Sequence, residues 1–492
     1  MSVGFAYLTA VLFPVIAGLY IWMRKPFRKW KSTCTYVGVA LLVSLLFSVY
    51  CFCLPNTTVE LFAVTDKLKV VFGLDEMGRI FLVLTEIVWL LTGIYSFSYM
   101  EKERHINRYF GCYLVTLGVL VGLCCSANLI TMYAFYEFLT LASFLLVLHE
   151  QTHEAVMAAL KYLFYSFFGA YCALFGIFFL LQYTESLDFM PGGILVSTEV
   201  MEHRELLLLC LFFMILGFGV KAGMFPLHAW LPTAHPVAPA PASAVLSGII
   251  VKAGVLAIIR TVYYVFGASF VRDTWVQYAF LVLTLITVFM GSMLAFREPV
   301  LKKRLAYSTV SQLSYILFGI ALLDTVSLTG SLFHVLAHGF IKVTLFLCAG
   351  AIIHQTGATR VDELRGIGKK MPVTIWCFTI VSLGLIGIPP TGGFISKWFL
   401  AVGALESEMK TFAIAGPVVL LVSALLTAGY LLPVTIRGFL PGDDFDYAKL
   451  KKEEPSLFMT VPILIMTVIT VLLGICPNPV RDYITEAITL LF

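Results

Sequence analysis

Charged residues are scarce in this sequence. Only 13% of its 492 residues are Asp, Glu, Lys or Arg, 60% are hydrophobic, and the mean hydropathy is +0.94. Soluble domains average about 25% charged and about 45–50% apolar residues, so this composition excludes an ordinary soluble globular protein. The net charge of +4 is small, and the positions of the basic residues are better explained by membrane topology than by a nucleic-acid partner.

Motifs for redox cofactors, metals and nucleotides are also missing. The 11 cysteines are scattered and form no CxxC, only CFC at 51–53 and CC at 124–125, so the spacings typical of iron–sulfur clusters and structural zinc are absent. No phosphate loop occurs, and no GxGxxG opens a helix after a strand. We therefore expect no cofactor and no metal in this chain, and energy from an ion gradient or from a partner.

Long apolar runs are what the sequence has instead. A membrane helix needs about 20 apolar residues, and fourteen runs approach or exceed that length. The predicted spans are residues 5–23, 34–54, 80–100, 109–127, 128–148, 156–182, 205–224, 240–265, 275–296, 305–325, 329–354, 373–401, 413–436 and 456–476. The first run is expected to be retained, because no basic residue precedes it and no convincing cleavage site follows. The predicted fold class is an all-α integral membrane protein with about 14 transmembrane helices.

Basic residues in the loops set the predicted orientation. The loops that follow the odd-numbered spans hold most of the 33 Lys and Arg residues, including the stretches RKPFRKWK, REPVLKKR, RGIGKK and AKLKK. Loops rich in Lys and Arg remain in the cytoplasm. Both termini are therefore expected outside a prokaryotic cell (inner) membrane.

Ionisable residues inside the predicted spans are the most informative feature. The lysines are Lys161, Lys221, Lys252, Lys342 and Lys397, and the other members are Glu86, Glu137, His334 and His338. Such residues are costly in a bilayer and typically line an ion path. At about 1.5 Å per residue, Glu137, Lys252 and His338 lie too deep to reach the interface. Lys161 lies near the inner end of its span and can extend to the interface, so a structural role stays open for it.

Two predicted spans contain helix-breaking motifs. The seventh carries KAGMFP and the twelfth carries IGIPPTGGFISK, and the breaking residues are Gly223, Pro226, Pro389, Pro390, Gly392 and Gly393. Backbone groups freed in a membrane need protein or water to satisfy them. Each break adjoins a lysine, Lys221 or Lys397. Interrupted helices at matching places in two halves indicate a repeat with an ion site near the midplane.

The repeat divides the chain into four predicted regions. They are an N-terminal three-helix region (1–108), a first five-helix repeat of spans 4–8 (109–270), a second five-helix repeat of spans 9–13 (271–437), and a cytoplasmic loop with the last span and C-terminus (438–492). Because each half holds an odd number of spans, the second half is inverted relative to the first. The two halves share little plain sequence identity, so this prediction depends on the pattern of spans and breaks.

The eleventh span carries a row of titratable residues. HVLAHGFIK places His334, His338 and Lys342 at i, i+4 and i+8, on one helical face. Histidine titrates near neutral pH, so this row can pass a proton. A helix–helix hydrogen-bonding face is the alternative. A zinc site is disfavoured, because no carboxylate or cysteine stands beside the two histidines.

Several long motifs resemble one protein family. YEFLTLASFLLV around Glu137, KAGMFPLHAWLPTAHPVAPAPASAVLSGIIVKAGVLAIIR around Lys221 and Lys252, LKKRLAYSTVSQLSYI, HVLAHGFIKVTLFLCAGAIIH and GIPPTGGFISKW are similar to motifs of the antiporter-like subunits of respiratory complex I. Mrp-type multisubunit sodium/proton antiporters and membrane-bound hydrogenases share this family. The resemblance covers about residues 70–440. It implies fourteen helices, two inverted five-helix units and two broken helices.

The resemblance also implies a role for individual residues. Glu137 and Lys221 match the ion pair of the first half-channel, and Lys252 matches the lysine that connects the halves. Lys397 matches the terminal residue that exchanges protons with the outside. The central polar axis corresponds to His334, His338 and Lys342. The accessory candidates are Lys161, His228, His235 and Glu86.

Two positions depart from the family pattern. The family usually reads LPDAH after the broken seventh helix, and this chain reads LPTAH, so Thr233 removes a carboxylate from the inner mouth. Glu86 matches no family motif, and a structural pairing is as reasonable for it as a function. The effects of both departures stay open.

Three functions are compatible with these residues. The first is a proton-pumping subunit of a redox complex related to complex I, whose partner subunits would hold iron–sulfur or nickel–iron centres. The second is a subunit of an Mrp-type sodium/proton antiporter without redox chemistry. The third is a non-conducting scaffold, which the number of intramembrane charges disfavours. In each case the chain carries no redox active site of its own, and its partners are other membrane subunits, lipid, protons and, in the antiporter, sodium ions.

Overall fold

A computed structural model describes residues 2–27, 29–195, 201–442, 445–446 and 453–492. Helices make up most of the chain. They are α1 (Val3–Arg24), α2 (Trp30–Phe52), α3 (Glu76–Tyr99), α4 (Ile106–Cys124), α5 (Leu129–Val147), α6 (His153–Tyr183), α7 (Arg204–Lys221), α8 (Leu231–Val237), α9 (Ala240–Phe266), α10 (Ala268–Val271), α11 (Trp275–Arg297), α12 (Leu301–Ala321), α13 (Thr325–Thr356), α14 (Pro372–Ile386), α15 (Gly392–Glu406), α16 (Lys410–Phe439), α17 (Leu457–Ile475) and α18 (Asn478–Ile488).

Capping side chains determine where several long helices begin. Asp75, Asn128, Thr152, Thr274 and Asp324 each accept a hydrogen bond from the backbone N–H three residues further on. These bonds satisfy donors that the first turn of a helix leaves free. They begin α3, α5, α6, α11 and α13, so short polar residues between apolar runs define the ends of these spans.

One β-hairpin interrupts the helical pattern. Strands β1 (Val59–Ala63) and β2 (Lys69–Phe72) pair antiparallel between α2 and α3, with Val59 opposite Phe72. The all-α prediction did not include this hairpin, which lies in the predicted loop between the second and third spans, and the chain is mostly helical. The strands are short, and their alternation was hidden by the neighbouring apolar spans.

Eleven described helices are long and apolar enough to cross a membrane. This confirms the prediction of a mostly helical, multi-pass membrane protein. Three of the fourteen predicted spans fall outside that set. Helix α7 has three charged residues among its 18, α12 has three charged residues and many polar ones, and α14 and α15 divide one predicted span into two pieces of 15 residues each.

Two helices form the interior of the molecule. Every residue in the most apolar stretch of α9 is buried, and 89% of the corresponding stretch of α13 is buried. Around α13 pack α12, α14, α15 and α17. By contrast only 33% of the most apolar stretch of α2 and 28% of that of α16 are buried, as expected for helices that face lipid. The interior pair carries Lys252, His334, His338 and Lys342, four of the ionisable residues predicted inside the membrane.

Candidate functional site

Lys221 occupies the point where α7 ends. The helix stops at this residue, the chain is not α-helical from 222 to 230, and Gly223 takes a left-handed backbone conformation (φ +70°) that glycine permits. The Lys221 side chain is fully buried. Its Nζ donates to the carbonyl of Tyr136 (3.0 Å) and to Thr140 Oγ1 (2.9 Å), and it lies 3.9 Å from the centre of the Tyr136 ring.

Glu137 lies beside these contacts without joining them. It is half-buried, and its buried Oε1 has no hydrogen-bond partner in the described part of the chain. Lys221 contacts residues on either side of Glu137 along α5 and is close enough to interact with its charge. The two residues form no ion pair within 4.0 Å among the described residues. The structure therefore brings them to neighbouring positions with separated charges.

Two of the accessory candidates, Lys161 and His228, lie nearer the surface. His228, in the segment between α7 and α8, is partly buried, and its Nδ1 has no partner within the described residues. Lys161 is half-buried on α6 and is close enough to His228 to interact with it electrostatically. Thr233 turns its hydroxyl back to the carbonyls of Ala229 and Trp230. It therefore supplies no charge where the family usually has a carboxylate.

Lys252 lies in α9 between two π-helical stretches, Leu246–Ile250 and Arg260–Phe266. Such widened turns are frequent at functional sites. The buried Nζ of Lys252 contacts the carbonyl of Ser247 (3.1 Å) and Nδ1 of His338 (2.9 Å). An ammonium group only donates, so with Lys252 protonated His338 accepts through Nδ1. Lys252 on α9 and His338 on α13 are thus in direct contact.

The two histidines of α13 continue from this contact. The ring centres of His334 and His338 are 5.7 Å apart, and Nδ1 of His334 lies 2.7 Å from Ser396 Oγ on α15. Tyr315 stacks on His334 at 5.9 Å. Nε2 of each histidine is buried with no hydrogen-bond partner in the described chain. Buried polar atoms are normally satisfied by protein or water, so these two atoms mark candidate water sites.

Lys342 leaves the row. Its Nζ donates to the carbonyl of Leu305 (3.0 Å) and to Ser308 Oγ on α12. The three residues therefore share one helix but contact three neighbours: His338 meets α9, His334 meets α15 and Lys342 meets α12. The sequence predicted one continuous row of His334, His338 and Lys342. In the structure only the two histidines continue from one to the other, and Lys342 turns to α12.

Lys397 lies beside Ser396 on α15, after the second break. The preceding helix α14 ends at Ile386, and Gly387 is left-handed (φ +97°). Lys397 Nζ donates to the carbonyls of Leu385 (2.6 Å) and Ile386 (3.1 Å) and lies 4.8 Å from the Tyr315 ring centre. A cation stabilises the negative end of a helix dipole. The lysine thus bridges the two halves of the interrupted helix.

Two further predicted residues lie apart from this chain of contacts. His235 is fully buried against Phe346 (ring centres 4.6 Å apart), and neither of its ring nitrogens has a partner in the described chain. Glu86 is buried between α2 and α3 and accepts a hydrogen bond from Ser48 Oγ at 2.5 Å. No group of three His, Cys, Asp or Glu residues able to hold a metal occurs among the described residues.

Sequence reasoning missed several residues of the site. Arg260 lies in the predicted eighth span, eight residues after Lys252, and forms a bidentate ion pair with Asp75 (both contacts 2.5 Å). On α12, Ser308, Gln312 and Tyr315 share one helical face directed at the α13 row. Gln312 is fully buried with neither amide atom partnered in the described chain. The spacing of residues 308, 312 and 315 at i, i+4 and i+7 predicts a shared polar face. The prediction considered only charged residues and histidines, so it did not include these three.

Known proteins share both the sequence and the fold of this chain. The family described as NADH:quinone oxidoreductase/Mrp antiporter, TM matches residues 126–427, and the one described as NADH-Ubiquinone oxidoreductase (complex I), chain 5 N-terminus matches residues 62–110. NADH-quinone oxidoreductase subunit N of Desulforudis audaxviator is 32% identical over 414 residues, covering 82% of this chain and 81% of the relative. A Na(+)/H(+) antiporter subunit of Bacillus subtilis is 27% identical over 419 residues, with 85% and 83% covered.

Solved structures share the fold over nearly the whole chain. A chain of the Mrp complex from Dietzia superposes with a TM-score of 0.84 at 22% identity, covering 100% of this chain and 98% of that chain. A chain of the membrane-bound sulfane sulfur reductase, an archaeal respiratory membrane complex, gives 0.86 at 20% identity, with 99% and 97% covered. The chain belongs to the family of NADH:quinone oxidoreductase and Mrp antiporter membrane subunits.

Proposed function

We propose that this chain is an ion-translocating, antiporter-like membrane subunit of a redox complex related to complex I, and that it moves protons along a midplane row of Lys, His and Glu side chains. One observation carries the proposal. Buried contacts run from Lys252 through His338 and His334 to Ser396, beside Lys397. The similarity to NADH-quinone oxidoreductase subunit N supports the redox parent. A membrane-bound hydrogenase or an NADH/quinone oxidoreductase would fit, and its redox centres would belong to partner subunits.

A subunit of an Mrp-type sodium/proton antiporter is the second candidate. The match to the Na(+)/H(+) antiporter subunit of Bacillus subtilis over 85% of this chain supports it. Both candidates use the same residues, so they differ in what drives the chain rather than in its internal path. A redox-driven subunit would move protons, whereas in an Mrp-type antiporter sodium ions would also be transported.

The proposed architecture is fourteen membrane helices with two inverted five-helix repeats, at 109–270 and 271–437, after an N-terminal region at 1–108. The residues from 438 complete the chain. The non-helical segments after α7 and α14, each adjoining a lysine, support this arrangement. Both termini would lie outside a prokaryotic cell membrane, since the loops after odd-numbered spans carry most of the basic residues.

The first step of the mechanism is a charge switch at Lys221. Neutral acceptors, the Tyr136 carbonyl and Thr140, hold the ammonium group. When Glu137 approaches, its negative charge stabilises the protonated lysine, and when it withdraws, the proton is released towards Lys252. The non-helical segment after Lys221 gives this side chain room to move. Lys161 and His228 lie on the proposed proton inlet from the inner face.

The second step is transfer along the row. A proton on Lys252 is donated to Nδ1 of His338, and the proton on Nε2 of that ring is free to leave through water towards His334. From His334 the path continues through Ser396 to Lys397, which exchanges protons with the outside. Lys342 sits to one side of this path on α12. Its positive charge would repel a proton on Lys252, so we assign it the control of occupancy rather than direct transfer.

The proposal is tested by replacing His338 with Gln in the assembled complex. Glutamine keeps a hydrogen-bond acceptor near Lys252 but cannot pass a proton from one side of a ring to the other. We expect ion transport in sealed vesicles to fall by roughly 10²-fold or more, within the range by which loss of a proton-transferring side chain slows a reaction. The complex should still assemble. Wild-type transport by an assembled His338→Gln complex would refute the proposed row.

A further inference from the structure

The structure contains a groove that the proposed ion path does not use. It lies among the first turn of α2, the last turn of α3 and the first turn of α17, and its volume is about 570 Å³. Its lining comprises Trp30, Lys31, Cys34, Thr35, Phe97, Ser98, Glu101, Ser456 and Phe458. We propose that this groove binds one anionic phospholipid, with the phosphate beside Lys31 and an acyl chain along Phe97 and Phe458.

The position of the groove favours a lipid. α2, α3 and α17 cross the membrane by length and hydropathy, and the groove lies where all three reach the same face. In the proposed topology this face is the cytoplasmic one, and the inference depends on that topology only for the choice of leaflet. Aromatic residues such as Trp30 are enriched at the level of the lipid head groups. The groove is thus at the depth where a phosphate and the start of an acyl chain meet.

The charge around the groove favours an anion. Arg24, Lys25, Lys29 and Lys31 lie between the last turn of α1 and the first turn of α2, all four are exposed, and Lys31 lines the groove. None of them lies within 4.0 Å of a carboxylate in the described part of the chain. Clusters of Lys and Arg at the cytoplasmic end of a membrane helix bind anionic lipid head groups. Unpaired cations at this depth therefore match a phosphodiester.

The polar wall adds hydrogen-bond donors to this charge. α2 and α17 both begin in the groove, and neither N-cap residue, Lys29 or Ser456, bonds the N–H groups of its own first turn through its side chain. The positive ends of two helices therefore border the groove. Ser456 and Ser98 hydroxyls are 2.6 Å apart on the same wall. These groups suit the oxygens of a phosphate.

Glu101 is the one acidic residue in the lining. It is exposed and makes no ion pair with Lys31 within 4.0 Å. A carboxylate here weakens the attraction for an anion, so it limits the affinity of the site. The two charges therefore have opposite effects on the affinity for the lipid: removing the charge of Glu101 should strengthen binding, whereas removing that of Lys31 should weaken it.

The test is photolabelling of the assembled complex in vesicles that contain phosphatidylglycerol with a photoreactive acyl chain. Labelled peptides are mapped by mass spectrometry. We expect labelling of the segments around Phe97 and Phe458, reduced about five-fold in Lys31→Gln, since one cation near a membrane surface contributes a factor of about that size. Lys31→Arg should retain labelling, and Glu101→Gln should increase it. Lys102→Gln, which removes an exposed charge on the same face outside the groove, is the matched control.

Three results would overturn the proposal. The first is equal labelling by phosphatidylcholine, whose head group carries no net charge. The second is loss of labelling when millimolar inorganic phosphate is added, which would identify a site for free phosphate. The third is a crosslink from this groove to a neighbouring subunit, which would identify a protein occupant. Ion transport by the Lys31→Gln complex should remain at the wild-type rate, so failure of this proposal is separable from failure of the proposed ion path.

Discussion

Two kinds of buried cation occur in the membrane-spanning part of this chain. Arg260 is held by both carboxylate oxygens of Asp75, and this bidentate pair joins α9 to the start of α3. Lys252 and Lys342 instead meet carbonyls, a hydroxyl and a histidine. A lysine held by neutral groups can lose its proton without leaving an unpaired carboxylate behind. The second kind is therefore suited to proton transfer, and the first to fixing the fold.

Lys342→Met tests whether Lys342 acts in ion transport or only in helix packing. Methionine has a similar length but no charge, and the change should abolish coupled ion transport while the complex still assembles, because Lys342 would no longer control when Lys252 loses its proton. Proton uptake into sealed vesicles measures this. Lys303→Met is the matched control, since Lys303 is on the same helix as Ser308 but is 38% exposed and paired with Glu298. Normal transport by an assembled Lys342→Met complex would contradict the proposed control of proton occupancy by Lys342.

Gln312→Leu tests whether the row holds water. Both amide atoms of Gln312 are buried without a partner in the described chain, on the helical face between Ser308 and Tyr315. A buried polar group left unsatisfied costs about 1–3 kcal/mol, so leucine should stabilise the protein if this space is dry. If water occupies it, leucine should slow transport and leave thermal stability unchanged or lower. We expect the second result. Transport rate and melting temperature, measured together, decide between them.

At the scale of helices, the sequence predicted where the membrane helices lie in the chain, but it did not predict all of the departures from α-helical geometry inside them. Each of the fourteen predicted spans overlaps a helix, because a run of apolar residues is dictated by the bilayer itself. The interruptions after Lys221 and Ile386 coincide with Gly and Pro motifs, whose backbone effects are local. The π-helical stretches on either side of Lys252 were not predicted. Hydrophobic periodicity does not distinguish a π-helical turn from an α-helical one in a helix whose residues are all buried.

In the candidate site, too, one group of residues was predicted from the sequence and another was not. Glu137, Lys221, Lys252, His334, His338, Lys342 and Lys397 stood out because charge is rare in membrane helices. Their partners did not, since Ser308, Tyr315 and Ser396 are ordinary residues for an interior helix. Spacing at i, i+4 and i+8 puts side chains on one face, but that face is wide enough to meet three helices. The direction taken by Lys342 therefore required the structure.

Lys397→Ala is the prediction for the second interrupted helix. Its ammonium contacts the last carbonyls of α14, so the substitution removes both the proposed outward exit and a stabilising charge on a helix end. We expect transport to be lost and the melting temperature to fall only slightly, because a cation at a helix terminus contributes about 0.3–1 kcal/mol. Lys397→Arg should restore stability but not transport, since arginine does not release its proton.

At the scale of the whole molecule, the row cannot be filled with protons at once. Lys252 and His338 are 2.9 Å apart, and two unit charges near 4 Å repel by about 4 kcal/mol even at an effective dielectric constant of 20. Arrival of one proton therefore favours departure of the next. Because Lys252 and the two histidines lie between Lys221 and Lys397 on the proposed path, this repulsion is a means by which a charge change near Glu137 would affect the protonation of Lys397.

The two candidate functions differ in the energy source that drives proton movement. Transport assays on the intact complex in sealed vesicles distinguish between these sources. If the complex is redox-driven, internal pH should stay constant under an imposed sodium gradient and change only when an electron donor and acceptor for the partner subunits are supplied. If it is an Mrp-type antiporter, the sodium gradient alone should move protons. A complex with Lys221→Ala is the control in both cases, because it lacks the first proton carrier of the proposed path and should show neither response. We expect the redox-driven result; proton movement under sodium alone, absent in the Lys221→Ala complex, would establish the antiporter instead.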